Sequence, residues 1–166
     1  MPKGVDSGDQ YLLGGKYYYR QLDDLALNIC VVHALSDAGW REYLDHAMQI
    51  VTQFGHAPSV SLCVYQHAHP NAKQRRAAAS LFAEQSMPSM KRVAVFTDSI
   101  VIKGAMTAFN WIMPSTDLRA FRAAEEESAL AWVREVAEFD VGVAGRAWRE
   151  ARYRLKVGPL RSSMRP

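Results

Sequence analysis

Five histidines, two cysteines and a scatter of acids are the side chains of this 166-residue chain best suited to chemistry. His67 and His69 stand two apart at the end of an apolar run, a spacing that sends both imidazoles to one face of a strand. His33 ends another such run, and parallel strands bring their C-terminal ends together. Three imidazoles gathered there suit a zinc-like ion with one position left open for water, the plan of a hydrolytic metal site. Asp98-Ser99 pairs a carboxylate with a hydroxyl, but an Asp or Ser directly before an apolar helical run is also a helix cap, which needs no reaction. Cys30 and Cys63 lie far apart in strand-like runs and read as buried free thiols in a reducing compartment. No Gly-x-Ser-x-Gly, Walker-type loop, Gly-x-Gly-x-x-Gly, Cys-x-x-Cys or His-Glu-x-x-His is present. Nucleophilic, acid–base and nucleotide-dependent chemistry therefore lack their parts. The chain reads as a non-enzyme that needs no cofactor.

A binding role has a better candidate. Ile100, Val101 and Ile102 are consecutive, and Met106, Trp111, Ile112 and Met113 add apolar surface beyond one helical face. A helix apolar most of the way round is either deeply buried or presents a patch. Met and Trp suit adaptable apolar contact. Ile102, Ala105, Met106, Phe109, Trp111 and Met113 are thus expected to meet an apolar small molecule or a partner protein, a second copy of the chain included.

These groups need elements to position them. Residues 1–15 are polar, contain glycine and show no period; they read as a disordered leader. YYYRQLD and LALNICVVHA flank Asp23-Asp24, two Tyr-, Val- and Ile-rich runs around an acidic turn, and predict a β-hairpin. A helix over 37–54 follows, capped by Ser36 or Asp37 and ended by Gly55, with Trp40, Tyr43, Leu44, Ala47, Ile50, Val51 and Phe54 on one wide apolar face. VSLCVYQ is apolar on both sides and reads as a central strand. After the turn at His67–Asn71 a helix runs to about Gln85, with Ala78, Leu81 and Phe82 inward. Lys73, Arg75 and Arg76 near its start oppose the helix dipole, which points to a role for those charges with a partner. VAVF is a strand, residues from Ile100 form the apolar helix up to Pro114, with Val101, Ala105, Ala108, Phe109 and Ile112 sharing a face, and LRAF is the fifth strand. Glu125–Glu127 begin a last core helix, with Ala129, Trp132, Val133 and Val136 inward. The order β-β-α-β-α-β-α-β-α specifies an α/β fold, a five-stranded mixed sheet whose helix-separated strands run parallel through right-handed crossovers.

One domain, 16–137, accommodates all of this, followed by a basic helical extension over 138–166. From Arg146 onward seven basic residues face one acid, so of 20 basic and 17 acidic residues in all, 13 and 16 lie before it. Trp148, Ala151 and Leu155 share a face of that extension, with Arg146, Arg149 and Arg154 beside or opposite it. The amphipathy suits docking on the domain, on acidic headgroups of a membrane or on an acidic partner, nucleic acid being the weaker fit to an acidic body. No run approaches the ~18 apolar residues of a membrane span, and no apolar signal region opens the chain, so a cytoplasmic location is expected.

The text KRVAVFTDS-IVIKGAMTAF, followed by DLRAFRAAEEESALAWV, resembles the SpoIIAA-like branch of the STAS-domain superfamily over roughly residues 17–136. In that branch, a strand ending in Asp precedes an apolar, Gly-containing helix, and a strand ending in Phe precedes an acidic-started Ala-Leu-Ala-Trp helix. Anti-sigma-factor antagonists of the superfamily carry a phosphorylatable Ser after the third strand. Here that turn is His67-Ala68-His69-Pro70-Asn71, so the resemblance implies no phosphorylation switch. The branch is also similar to CRAL-TRIO-type lipid carriers in its mixed sheet and apolar pocket, which implies a lipid-like ligand.

Overall fold

Period-two alternation along the strands organises the molecule. The computed structural model describes residues 4–104, 106 and 115–157. In it β2 (Tyr17–Leu22) and β3 (Leu25–Cys30) form the expected antiparallel hairpin about Asp23-Asp24. The strands β4 (Val60–Tyr65), β5 (Arg92–Phe96) and β6 (Asp117–Phe121) then add in chain order, each parallel to the one before. The expectations on Ala105, Ala108, Phe109, Trp111, Ile112 and Met113, and on the end of the chain from 158, lie outside the described residues.

The sheet has six strands, not five, because β1 (Gln10–Leu12) from the supposed leader pairs antiparallel with β2. Arg20 accounts for the difference. Its guanidinium grips Asp6 at 2.8 Å and Asp9 at 3.0 Å, and the Tyr18 hydroxyl donates to Asp9 at 2.8 Å. These acids look like solvated filler in the sequence, but one cation holding two of them ties the segment to the sheet edge.

The helix α1 (Asp37–Phe54) begins and ends where its caps predict. Ser36 Oγ accepts from the Gly39 N–H, and Gly55 closes the helix at φ 64°, a left-handed conformation that glycine adopts without strain. α2 (Ala72–Glu84) follows β4, and the helix after β5, α3, is described at residues 100–104 and 106. A short 3-10 turn (Ala123–Glu125) leads into α4 (Glu126–Arg134), and α5 (Val141–Arg154) comes last. Crossovers from β3 to β6 always step in one direction, so with right-handed connections α1, α2 and α3 share one face of the sheet.

α4 and α5 cover the other face. Leu25, Leu27, Ile29, Val60, Leu62 and Phe96 pack there against Leu130, Val133, Ala147 and Trp148 in one continuous core. The basic extension is therefore integral to the fold, since α5 buries Ala144, Ala147, Trp148 and Ala151. Its apolar face goes to the sheet, while Arg146, Arg149 and Arg154 remain at the surface. Among the described residues, no helix is long and apolar enough to cross a membrane.

Candidate functional site

The face under α1, α2 and α3 is filled differently. Alternation sends Asn28 and Cys30 of β3, and Ser61, Cys63 and Tyr65 of β4, to this side. α2 is pinned at its first turn and stands off along its length. Trp40 donates its indole N–H to the Gln74 carbonyl at 2.8 Å, and the Gln74 amide donates to the Leu35 carbonyl at 2.9 Å. Gln74 also completes a capping box with Asn71, and Lys73 reaches Asp37 at 2.6 Å. Gln74 is the one buried residue of α2, however, and Ala78, Ala79 and Phe82 are only half-buried. Small residues at two of those positions leave space beneath the helix.

That space is a cavity of about 340 Å³. Asn28, Ser61, Cys63 and Tyr65 form its floor, Trp40 and Tyr43 a side wall, and Ala78, Ala79 and Phe82 its roof. Met87 and Met90 line it from the loop after α2, and Ile102 and Met106 from α3. His69 and Arg75 stand together at the end nearest the C-termini of the strands.

Polar groups on the floor satisfy one another. The Tyr43 hydroxyl donates to Asn28 Oδ1 at 2.7 Å, and Asn28 Nδ2 donates to Ser61 Oγ at 2.9 Å. Ser61 Oγ lies 3.2 Å from Cys63 Sγ, and the Tyr17 and Tyr65 hydroxyls are 3.4 Å apart. Such pairing is what makes burial of polar groups tolerable. Burial pushes the Cys63 thiol up to about 11 and the Tyr43 and Tyr65 phenols well above their ordinary values, so all three stay neutral near neutral pH. The His69 imidazole is held below its ordinary value, by burial first and then by the charge of Arg75. Arg75 donates from Nη1 to the Pro70 carbonyl at 2.5 Å.

Of the residues singled out in the sequence, Ile102 and Met106 both line this cavity, Met106 at 9% exposure. Ile100 and Val101 instead face solvent, 86% and 74% exposed. The three histidines do not assemble. His33 and His67 stack with ring centroids 4.0 Å apart, while His69 belongs to the cavity wall. Among the described residues, no group of three or more His, Cys, Asp or Glu side chains could hold a metal ion, which corrects the three-histidine arrangement. The turn after β4 bends through Pro70 instead of extending the strand, so the period that put His67 and His69 on one face stops applying. Asp98-Ser99 caps α3 as expected: Ser99 Oγ accepts from the Ile102 N–H at 3.3 Å, and the Ser99 N–H donates to Thr97 Oγ1 at 3.0 Å.

Asn28, Ser61 and Cys63 were not among the expected site residues, nor was Tyr43 expected as more than part of an apolar helix face, whereas Arg75 had been singled out for its charge. One signal points to the strand residues, polar or small side chains at every second position of β3 and β4, and the arginine in the first turn of a helix, where the dipole disfavours it, adds Arg75. Lys73 shares that misfit, but its ion pair with Asp37 explains it within the fold.

The SpoIIAA-like family model matches residues 27–134. That span runs from β3 through α4 and includes every element that lines the cavity. No curated protein and no solved structure matches the chain.

Proposed function

The chain belongs to the SpoIIAA-like family, and from that premise we propose that it is a non-enzymatic carrier or regulatory module holding an apolar small molecule beneath α2. The cavity carries this reading. Its volume of about 340 Å³ falls within the ~300–1,000 Å³ of small-molecule sites. An apolar occupant there releases water from the apolar side chains that line the cavity, which favours its binding. Trp40, Phe82, Met90, Val95 and Met106 offer that occupant an apolar surface, and the methionines can adapt to its shape. The floor supports binding over catalysis. Cys63 stays a thiol, and the hydroxyls of Tyr43 and Ser61 engage neighbours in place of an activating base. Titration of the full chain with the neutral fluorophore N-phenyl-1-naphthylamine is expected to show saturable one-to-one binding. A linear, unsaturable signal would sink the reading.

The exposed pair Ile100 and Val101 favours a second reading, in which α3 docks a protein, taken here as a second copy of the chain. Sedimentation of the full chain then shows a dimer that Val101→Lys converts to a monomer. A monomer at all concentrations removes this reading and leaves the cavity untouched.

A further inference from the structure

Among the described residues, the most exposed large apolar side chains are Ile100, Val101 and Tyr153, at 86%, 74% and 86%, against at most 43% for Tyr11, Phe54 and Val141. They come from helices on opposite faces of the sheet, yet they stand at one end of the molecule. Ser99 and Ile102 at the start of α3, and Arg152 and Val157 at the end of α5, line one hollow of about 140 Å³. Gln66 and Thr97, the residues that follow β4 and β5, line it too, which places the hollow at the C-terminal ends of the strands. Ile100 and Val101 lie between the first pair in the chain, and Tyr153 lies beside Arg152. Single exposed apolar residues are ordinary, but three gathered around one hollow mark an interaction surface.

The charge beside them says what that surface meets. Arg149 and Arg152 share the Glu126 carboxylate, at 2.7 and 3.7 Å. Arg154 and Lys156, at the end of α5, are exposed and form no ion pair among the described residues. Asp98 is the one acid among the described residues that line the hollow, and Arg152 matches it in charge. The sequence after Val157 adds Arg161 and Arg165 and no acid. Exposed aliphatic side chains beside such cations match the interface of an anionic bilayer. There apolar groups enter the boundary between headgroups and acyl chains, tyrosine sits at headgroup level, and Lys and Arg meet the negative surface. A second copy of the chain seated on the same surface would instead bring these cations against their own counterparts.

We infer that this end of the molecule docks on an anionic lipid bilayer, with Ile100, Val101 and Tyr153 entering the interface and Arg154 and Lys156 against the headgroups. Co-sedimentation of the full chain with vesicles of phosphatidylcholine, alone or with about 30 mol% phosphatidylserine, tests this. The chain should bind the phosphatidylserine vesicles about tenfold or more tightly than those of phosphatidylcholine alone, and rising salt should weaken the binding. Ile100→Ser with Val101→Ser should keep the wild-type melting temperature, because both positions are exposed, and should lose about tenfold or more in affinity. Arg154→Gln with Lys156→Gln should lose about as much, and with it part of the salt dependence. No binding to the phosphatidylserine vesicles overturns the inference, and so does binding that either double variant retains in full. A chain that ignores vesicles yet self-associates until Val101 is replaced assigns the surface to a second copy instead. None of these outcomes bears on the cavity beneath α2.

Discussion

On the α4 and α5 side of the sheet, Phe96, Phe121, Trp132 and Trp148 form one aromatic layer with neighbouring centroids 5.3–6.2 Å apart. On the α1 to α3 side, the buried apolar residues among those described fall into three groups, with the cavity among Asn28, Ser61 and Cys63. The same strands supply both faces. What differs is the alternate residue: Leu25, Leu27, Ile29, Val60, Leu62 and Val64 on one side, and Ala26, Asn28, Cys30, Ser61, Cys63 and Tyr65 on the other. The first set secures the fold, and the second leaves room in it.

Substitutions at matched depth can break that division of labour. Trp148→Ala opens a void in the filled layer and is expected to cost about 3–5 kcal/mol in denaturant unfolding. Asn28→Ala strips the Tyr43 hydroxyl and Ser61 of their partner, and should cost about 1–3 kcal/mol. Phe82→Ala removes a half-buried ring bordering existing space, for about 1 kcal/mol. Were Phe82→Ala to cost as much as Trp148→Ala, the two faces would be equally packed and the contrast would fall.

The smallest effect concerns His69. Its imidazole should titrate below the ordinary histidine range by NMR, and Arg75→Gln should raise it only partway, since burial is the larger cause. A depressed folded-state pKa means that the unfolded chain takes up the proton first. The stability held above the unfolded pKa is thus lost as pH falls through about 6.5 and below. A His69 titration unchanged by Arg75→Gln would show that the two groups do not sense each other across the cavity wall.

The fold was largely legible because its signals are local. Ser36 and Gly55 bound α1, Asp23-Asp24 mark the hairpin turn, and Glu125–Glu127 mark the approach to α4. β1 was not legible, because Arg20 holds it through acids 11 and 14 positions away that carry no period of their own. The site was legible in fragments. Ile102 and Met106 stand out as excess apolar surface, but a cavity is a property of how α2 meets the sheet. No single stretch records that Ala78 and Ala79 line the same cavity as Ser61 and Cys63. Nor does the alternation show that the histidine turn bends away at Pro70 and leaves His33 and His67 stacked without a third ligand.

Ala78→Phe puts a ring into that space without touching the filled layer, and it gives the most direct test. N-phenyl-1-naphthylamine should bind the wild-type chain saturably, and Ala78→Phe should bind it at least tenfold more weakly, about 1.4 kcal/mol, with a melting temperature equal to or above that of the wild type. Equal binding by the two proteins would contradict the account, because the fluorophore would then be held somewhere other than the cavity beneath α2.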